Sequence, residues 1–103
     1  METYIIKSPS EGALDILMRR RGGSGQKPAP YGVDAVGLVQ GRMIEMVAAA
    51  DIAEKATGVT VEDIRGSCPQ NMILLAILGD TASVEEAIRK IKVQMEVRGI
   101  DRC

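Results

Sequence analysis

The spacing of apolar residues along the chain predicts a first helix after the letters SPSE. Ser8 is the predicted N-cap, Pro9 takes the first helical position, and Glu11 closes a capping box with Ser8. The apolar residues that follow recur at helical spacing: Ala13, Leu14, Leu17 and Met18. The helix is predicted to end at about Arg20.

Two further helices are predicted in the second half of the chain. One runs from Met43 to about Thr57 and is ended by Gly58. Its apolar residues are expected to form one face on the core: Ile44, Val47, Ala48 and Ile52. The other begins with a capping box between Ser83 and Glu86. Its core stripe is predicted at helical spacing: Val84, Ala87, Ile88, Ile91 and Met95.

Strands are predicted between these helices. Residues 3–7, 33–39 and 59–65 have the length and composition of short strands, and residues 72–78 are continuously apolar, as in a central strand buried on both faces. The resulting order β-α-β-α-β-β-α predicts one α/β domain over residues 1–103, folded as a two-layer sandwich. Residues 21–32 are rich in glycine and proline and are expected to form a flexible connection within it.

Composition and charge exclude several classes of partner. The 46% apolar content of the 103 residues allows a packed core, and the longest apolar run is too short to span a bilayer. The net charge is −1, and the chain has only two aromatic residues that could stack on bases. Both facts argue against a nucleic-acid partner. The N-terminus does not have the pattern of a signal peptide, so we expect a cytoplasmic protein with no membrane partner.

The sequence lacks the parts of common hydrolytic sites. It contains no histidine to pair with a serine or cysteine nucleophile. The letters GGSG at residues 22–25 lack the lysine and the strand–helix setting of a phosphate-binding loop. We therefore expect a protein that is not an enzyme.

One cysteine stands in a prominent place. Cys68 lies in the letters GSCPQN, between the third and fourth predicted strands, where loops often carry function. The second cysteine, Cys103, is at the C-terminus. Iron–sulfur and zinc sites use about three or four protein ligands, so one chain cannot supply them alone. Cys68 is either a packed turn residue or one share of a site that a symmetric oligomer completes.

Three segments of the second half resemble the bacterial microcompartment (BMC) shell-protein domain. The letters AAADIAEKATGV resemble the first helix of that family, and ILGDTASVEEAI resembles a strand–helix step of it. Between them, IRGSCPQN stands where the family has the loop that lines the pore of a cyclic hexamer. The resemblance implies a hexameric tile that assembles with other shell proteins in a cytoplasmic shell.

The N-terminal segment adds a second resemblance. The letters TYIIKSPSEGALDILMRR resemble the last strand and helix of ordinary family members, but here they come first. The chain therefore resembles a circularly permuted BMC domain, which has ferredoxin-like topology. Such a rearrangement is tolerated where the chain termini lie close together on the surface.

The loop letters GSCPQ resemble the GrpU-type shell proteins of glycyl-radical propanediol microcompartments. That resemblance implies an iron–sulfur cluster, of the [4Fe-4S] type, held at the pore by Cys68 from several subunits. The residues implied around the cluster are Ser67, Pro69 and Gln70. The implied pore loop consists of Gly66, Ser67, Cys68, Pro69, Gln70 and Asn71.

Lys55 is implied to lie on the edge where hexamers meet, because it falls at the position of the family's edge lysine. A cation at a helix C-terminus also complements the helix dipole, and the two roles are compatible. The alternative to a shell tile is a small oligomeric ligand-binding or regulatory domain of ferredoxin-like topology, in which Cys68 is only packed. A thiol enzyme is the third class, and it lacks a base that could activate the sulfur.

Overall fold

The chain folds into strands and helices in the order that the sequence predicts. The structure is a computed structural model that describes residues 1–21, 33–56, 58–65 and 72–97. Over these residues the elements are β1 (Glu2–Lys7), α1 (Glu11–Arg19), β2 (Ala35–Arg42), α2 (Met43–Lys55), β3 (Val59–Ile64), β4 (Met72–Gly79) and α3 (Thr81–Val97). Strand β2 starts and ends later than predicted, and the other boundaries agree with the prediction to within a few residues.

The strands form one antiparallel sheet in the order β1-β2-β4-β3. Strand β4 pairs with β2 on one side and with β3 on the other, so that Leu78 lies opposite both Val36 and Thr60. Neighbouring residues Ala76 and Ile77 point to opposite faces of the sheet and are both fully buried. The predicted central strand is therefore confirmed, and its continuous apolar run reflects burial on two sides.

Helices cover the two faces unequally. Helices α2 and α3 pack together on one face and build the larger core with β2 and β4. That core is formed by Ala35, Val39, Met46, Ala49, Ile52, Ala53, Ala56, Leu75, Ile77, Val84, Ala87, Ile88, Ile91 and Met95. On the opposite face, Leu17 of α1 packs in a smaller core with Val36, Ile64, Ala76 and Leu78. The predicted α/β sandwich is confirmed, with α1 as a partial cover on its second face.

The start of α1 differs from the prediction. The N-cap is Ser10, whose Oγ accepts a hydrogen bond from the Ala13 backbone N–H at 3.1 Å. Ser8 has a φ of 51° instead, and its N–H donates to the Asp34 carbonyl at 2.8 Å, next to the paired residues Lys7 and Ala35. The prediction of Ser8 as N-cap is wrong because its backbone continues the pairing of β1 with β2.

Helix α3 buries its predicted stripe, but its cap is a different residue. All five predicted core residues of α3 are buried: Val84, Ala87, Ile88, Ile91 and Met95. The Ser83 backbone N–H donates to Asp80 Oδ1 at 2.7 Å, and the Val84 N–H donates to the Asp80 carbonyl at 3.0 Å. Asp80 therefore caps the helix, and the predicted Ser83–Glu86 capping box is wrong, because the aspartate three residues earlier supplies the acceptor.

The buried face of α2 is not the predicted one. Ile44 and Val47 are exposed, whereas Ile52 is buried as predicted. The residues of α2 that are buried are Glu45, Met46, Ala49, Ile52 and Ala53. The prediction failed because apolar side chains occur on more than one side of this helix, and the spacing alone does not say which side meets the sheet.

Candidate functional site

The predicted pore loop connects two adjacent strands of the sheet. Residues 66–71, with Cys68, and Cys103 lie outside the described residues. The ends that hold the loop are described: β3 and β4 are paired up to Ile64, which lies opposite Leu74, and β4 begins at Met72. Any group carried by residues 66–71 is therefore attached to two neighbouring strands near one end of the sheet.

The end of α1 reinforces this end of the sheet. The Arg65 backbone N–H donates to the Arg20 carbonyl at 2.7 Å, and Arg21 forms an antiparallel bridge with Ile64. These contacts tie the chain after α1 to the outer edge of β3, immediately before residue 66. Arg20 and Arg65 are exposed, and Arg65 directly precedes the predicted loop in the chain.

Among residues 1–21, 33–56, 58–65 and 72–97, no three or more His, Cys, Asp or Glu residues lie together as metal ligands. None of the described helices is long and apolar enough to cross a membrane.

Lys55 is the last residue of α2 and lies on the surface. Its Nζ is 2.9 Å from Asp51 Oδ2, one helical turn earlier, and the two side chains are 76% and 54% exposed. This ion pair and the end of the helix account for a lysine here without any partner subunit. The ammonium group is nevertheless accessible, so the predicted contact along a hexamer edge stays a prediction.

Helix α2 carries an apolar surface that the sequence analysis assigned to the core. Met43, Ile44 and Val47 are 58%, 70% and 65% exposed, and together they form what we call the α2 outer face. Adjacent exposed apolar side chains of this size are typical of protein interaction surfaces. The signal was present in the sequence, because a helix that is apolar on most sides needs more than one buried face.

Glu45 is the one strongly buried acid among the described residues of α2. Its Oε1 accepts a hydrogen bond from the Arg42 backbone N–H at 3.1 Å, which caps the start of the helix. A Cβ at Gly41 would lie 2.7 Å from that oxygen, so the glycine leaves room for the carboxylate. Glu45 therefore has a structural role at the start of α2.

Perturbed pKa values on α3 have local causes. The Ser83 backbone N–H, and then its hydroxyl, hold the pKa of the Asp80 carboxyl below its ordinary value. The hydrogen bond with Arg89 lowers the pKa of Glu86, and the same bond raises the pKa of Arg89. These groups form a helix cap and an exposed ion pair, and neither is close to the predicted loop in the chain.

Comparison with known proteins identifies the class to which this fold belongs. The family model of the BMC domain matches residues 35–100. The chain belongs to the BMC domain family, whose members build microcompartment shells. No curated protein matches the chain at a significant level.

Two solved structures of GrpU microcompartment shell proteins are similar to this chain. A ligand-free GrpU shell protein from Clostridiales bacterium 1_7_47FAA is 60% identical, with a TM-score of 0.69 over 89% of this chain and 88% of that chain. The ligand-free GrpU shell protein from Pectobacterium wasabiae is 33% identical, with a TM-score of 0.70 over 88% of this chain and 99% of that chain. The resemblance drawn from the sequence, to a shell protein of the GrpU type, is therefore confirmed.

Proposed function

We propose that the chain is a structural tile of a cytoplasmic microcompartment shell, and that it forms cyclic hexamers with an iron–sulfur cluster at the pore. Cys68 from several subunits holds the cluster in this proposal. The observation that carries the assignment as a tile is the 60% identity with a GrpU shell protein over 89% of this chain. The enclosed pathway, glycyl-radical propanediol metabolism, is proposed from the resemblance alone.

The donor chemistry of the chain fits a cluster that is shared between subunits. Each chain brings one cysteine in the segment 66–71, and thiolates are the ligands that iron–sulfur clusters prefer. A hexamer gathers more thiolates than the three or four that such a cluster uses, so only some of them can ligate at once. Bound there, the cluster would supply electron transfer across the shell or close the pore.

The surroundings of the loop also support this proposal. Strands β3 and β4 precede and follow the segment, and the N–H of Arg65, the residue just before it, donates to the Arg20 carbonyl at the end of α1. Arg65 directly precedes the segment and is exposed, and positive charge close to a cysteine favours its thiolate form. Ser67, Pro69 and Gln70 flank the cysteine in the sequence and are the residues proposed to surround the cluster.

The place of the family match supports a circular permutation. The match to the BMC domain begins at Ala35, so β1 and α1 precede it in the chain. Strand β1 nevertheless pairs along its whole length with β2, the first strand of the matched region. A segment that comes first in the sequence but completes the sheet of the domain is the arrangement that a permuted member requires.

The experiment that tests the cluster is the substitution Cys68→Ser. Serine is nearly isosteric with cysteine but is a poor ligand for iron–sulfur clusters. Parent protein purified without oxygen should contain iron and sulfide and absorb visible light. The serine variant should lose the iron, the sulfide and the visible absorption while keeping its oligomeric state. Cys103→Ser is the matched control, and we expect it to keep the iron.

The outcomes separate the parts of the proposal. If the parent protein forms hexamers but contains no iron, the proposal of a shell tile stands and the proposal of a cluster is contradicted. Parent protein that stays monomeric at micromolar concentration in light scattering would contradict the cyclic hexamer. A serine variant that keeps the visible absorption of the parent would show that another group holds the iron.

A further inference from the structure

We infer that this chain binds a small oxyanion of the phosphate type between Arg20 and Arg65, where the end of α1 meets the outer edge of β3. The site is separate from the proposed cluster, since it needs neither Cys68 nor any other residue of the segment 66–71. It follows from two exposed arginines that the backbone brings together and that no carboxylate of the described residues pairs with.

The backbone places the two arginines next to each other. The Arg65 N–H donates to the Arg20 carbonyl at 2.7 Å, and the adjoining residues Arg21 and Ile64 form an antiparallel bridge. Arg20 is therefore the residue opposite Arg65, and in a regular sheet the Cβ atoms of opposite residues lie about 5 Å apart. Both residues are exposed, and arginine side chains are long enough for both guanidinium groups to reach one ligand.

The acids near this pair do not neutralise it. Asp15 is already matched, because its Oδ2 lies 3.2 Å from Arg19 Nε. Asp63 precedes Arg65 by two residues on β3 and is exposed, but it forms no ion pair with either arginine. Among the ion pairs of the described part of the chain, none includes Arg20 or Arg65.

The sequence around both arginines is also poor in acids. Residues 16–33 include three arginines and one lysine and no acid, and residues 64–79 include Arg65 and no acid. The segments 22–32 and 66–71, which adjoin the pair in the chain, therefore cannot supply a carboxylate. Like charges opposite each other on paired strands are destabilising. An anion that bridges the two guanidinium groups would remove this repulsion.

The chemistry of the pair fits a phosphate group. A guanidinium group binds a phosphate or carboxylate through two parallel N–H···O bonds. A phosphate monoester carries about −1.5 to −2 charges at neutral pH, so it matches two guanidinium groups, whereas one carboxylate matches only one of them. Inorganic phosphate and the phosphoryl group of a small metabolite share this chemistry. Bound here, the anion would join the end of α1 to the strand that leads into residues 66–71.

The test is calorimetric titration of the full chain with inorganic phosphate, and separately with glycerol phosphate, at constant ionic strength. The parent should bind at least one of the two anions, and the tighter one identifies the source that the site prefers. Arg65→Gln and Arg20→Gln should each weaken binding about tenfold or more, because each removes a charge-assisted contact.

Stability without the anion gives a second readout. Arg65→Gln removes one of two like charges at an exposed position. In phosphate-free buffer at low salt it should therefore melt at or above the temperature of the parent. If Arg65 only stabilised the fold, the same variant would melt lower, and that result would overturn the inference.

The matched control is Lys92→Gln, which removes one positive charge from the exposed side of α3 and should bind phosphate like the parent. The inference is overturned if the parent binds neither anion at millimolar concentration, or if Arg65→Gln binds as tightly as the parent. An equal loss of binding in Lys92→Gln would also overturn it, since net charge alone would then explain the effect. A changed oligomeric state of Arg65→Gln in sedimentation velocity would overturn it too, because the arginine would then serve a contact between subunits. Absence of iron from the parent would contradict the proposed cluster and leave this site untouched.

Discussion

Helices α2 and α3 lie side by side on the same face of the sheet but use their apolar residues differently. Helix α3 buries five apolar residues in one stripe in the core, and charged residues such as Glu86 and Arg89 occupy its outer side together with the exposed Val93. Helix α2 buries one apolar side and exposes another, formed by Met43, Ile44 and Val47. Folding of one chain accounts for every apolar residue of the α3 stripe, but it leaves Met43, Ile44 and Val47 of α2 exposed.

The difference shows what an excess of apolar residues on a helix can indicate. A helix that serves only its own domain needs one apolar side, because the other side meets water. In α2 the second apolar side would lower solubility unless a partner covers it. Because the chain belongs to a family that builds shells, we expect another shell subunit to cover the outer face of α2, whereas the stripe of α3 serves the fold of its own domain.

Truncation of the α3 stripe should have the largest effect on the fold. Ile91 is fully buried in the larger core, and its replacement by alanine should lower the free energy of unfolding by about 2–5 kcal/mol, as measured by urea denaturation. This is a large part of the stability of a small domain, which is about 5–15 kcal/mol. A loss below about 1 kcal/mol would mean that α3 is not packed as described.

The same truncation on the outer face of α2 should act on assembly instead. Ile44→Ala removes the same atoms from an exposed site, so the stability of the separated subunit should change by less than about 0.5 kcal/mol. Each contact between subunits should weaken by about 0.8 kcal/mol for every methylene group that it buries. The variant should therefore dissociate into subunits at a higher protein concentration than the parent in sedimentation velocity. Equal assembly by parent and variant would contradict the role of this face.

The comparison also explains how far the fold could be predicted from the sequence. The α3 stripe was predictable because its apolar residues allow only one buried side. In α2, Ile44 and Met46 are both apolar, and only the packing against β2 and β4 decides which is buried. The caps failed for a similar reason, since Ser8 and Ser10 are equally good acceptors by type and the pairing of β1 with β2 decides between them.

Some features of the candidate site could also be predicted from the sequence, and others could not. The place of residues 66–71 between two neighbouring strands could be predicted, because a buried apolar run after a short strand implies a hairpin. Lys55 could be placed at the exposed end of a helix from the glycine that follows at position 58. A ligand set that is shared between copies cannot be predicted from one chain, since its geometry depends on the symmetry of the assembly.

The two helices are also capped differently, and the cap of α3 should have a moderate effect on stability. Glu45, which caps α2, is buried, whereas Asp80 caps α3 from an exposed position. Asp80→Ala removes the acceptor for the Ser83 N–H and should lower the melting temperature at neutral pH. Asp80→Asn keeps an acceptor of the same shape but not the charge, and should melt between the parent and the alanine variant at neutral pH. An alanine variant as stable as the parent would contradict the cap.

The cap of α3 should also make stability depend on pH at the acid end. Hydrogen bonds from Ser83 lower the pKa of Asp80 in the folded state, so the unfolded chain binds a proton more readily. The stabilisation is therefore complete above the ordinary aspartate pKa of about 3.9 and is lost as the pH falls through the lower folded value. The difference in melting temperature between the parent and Asp80→Asn isolates this effect from other carboxylates. It should shrink below about pH 3.9; a constant difference would contradict the prediction.

The far end of α2 should show the smallest effect on folding. Lys55→Ala breaks an ion pair between two exposed side chains, and such pairs contribute about 0.5 kcal/mol or less. The free energy of unfolding should therefore hardly change in urea denaturation. Because Lys55 falls where the family has its edge lysine, we expect the variant to form hexamers that tile poorly into sheets when viewed by electron microscopy. Lys92→Ala, on the exposed side of α3, is the matched control and should tile like the parent. If Lys55→Ala forms sheets as extensive as the control, the lysine serves the end of its own helix and its pair with Asp51, and the contact along the hexamer edge lies elsewhere.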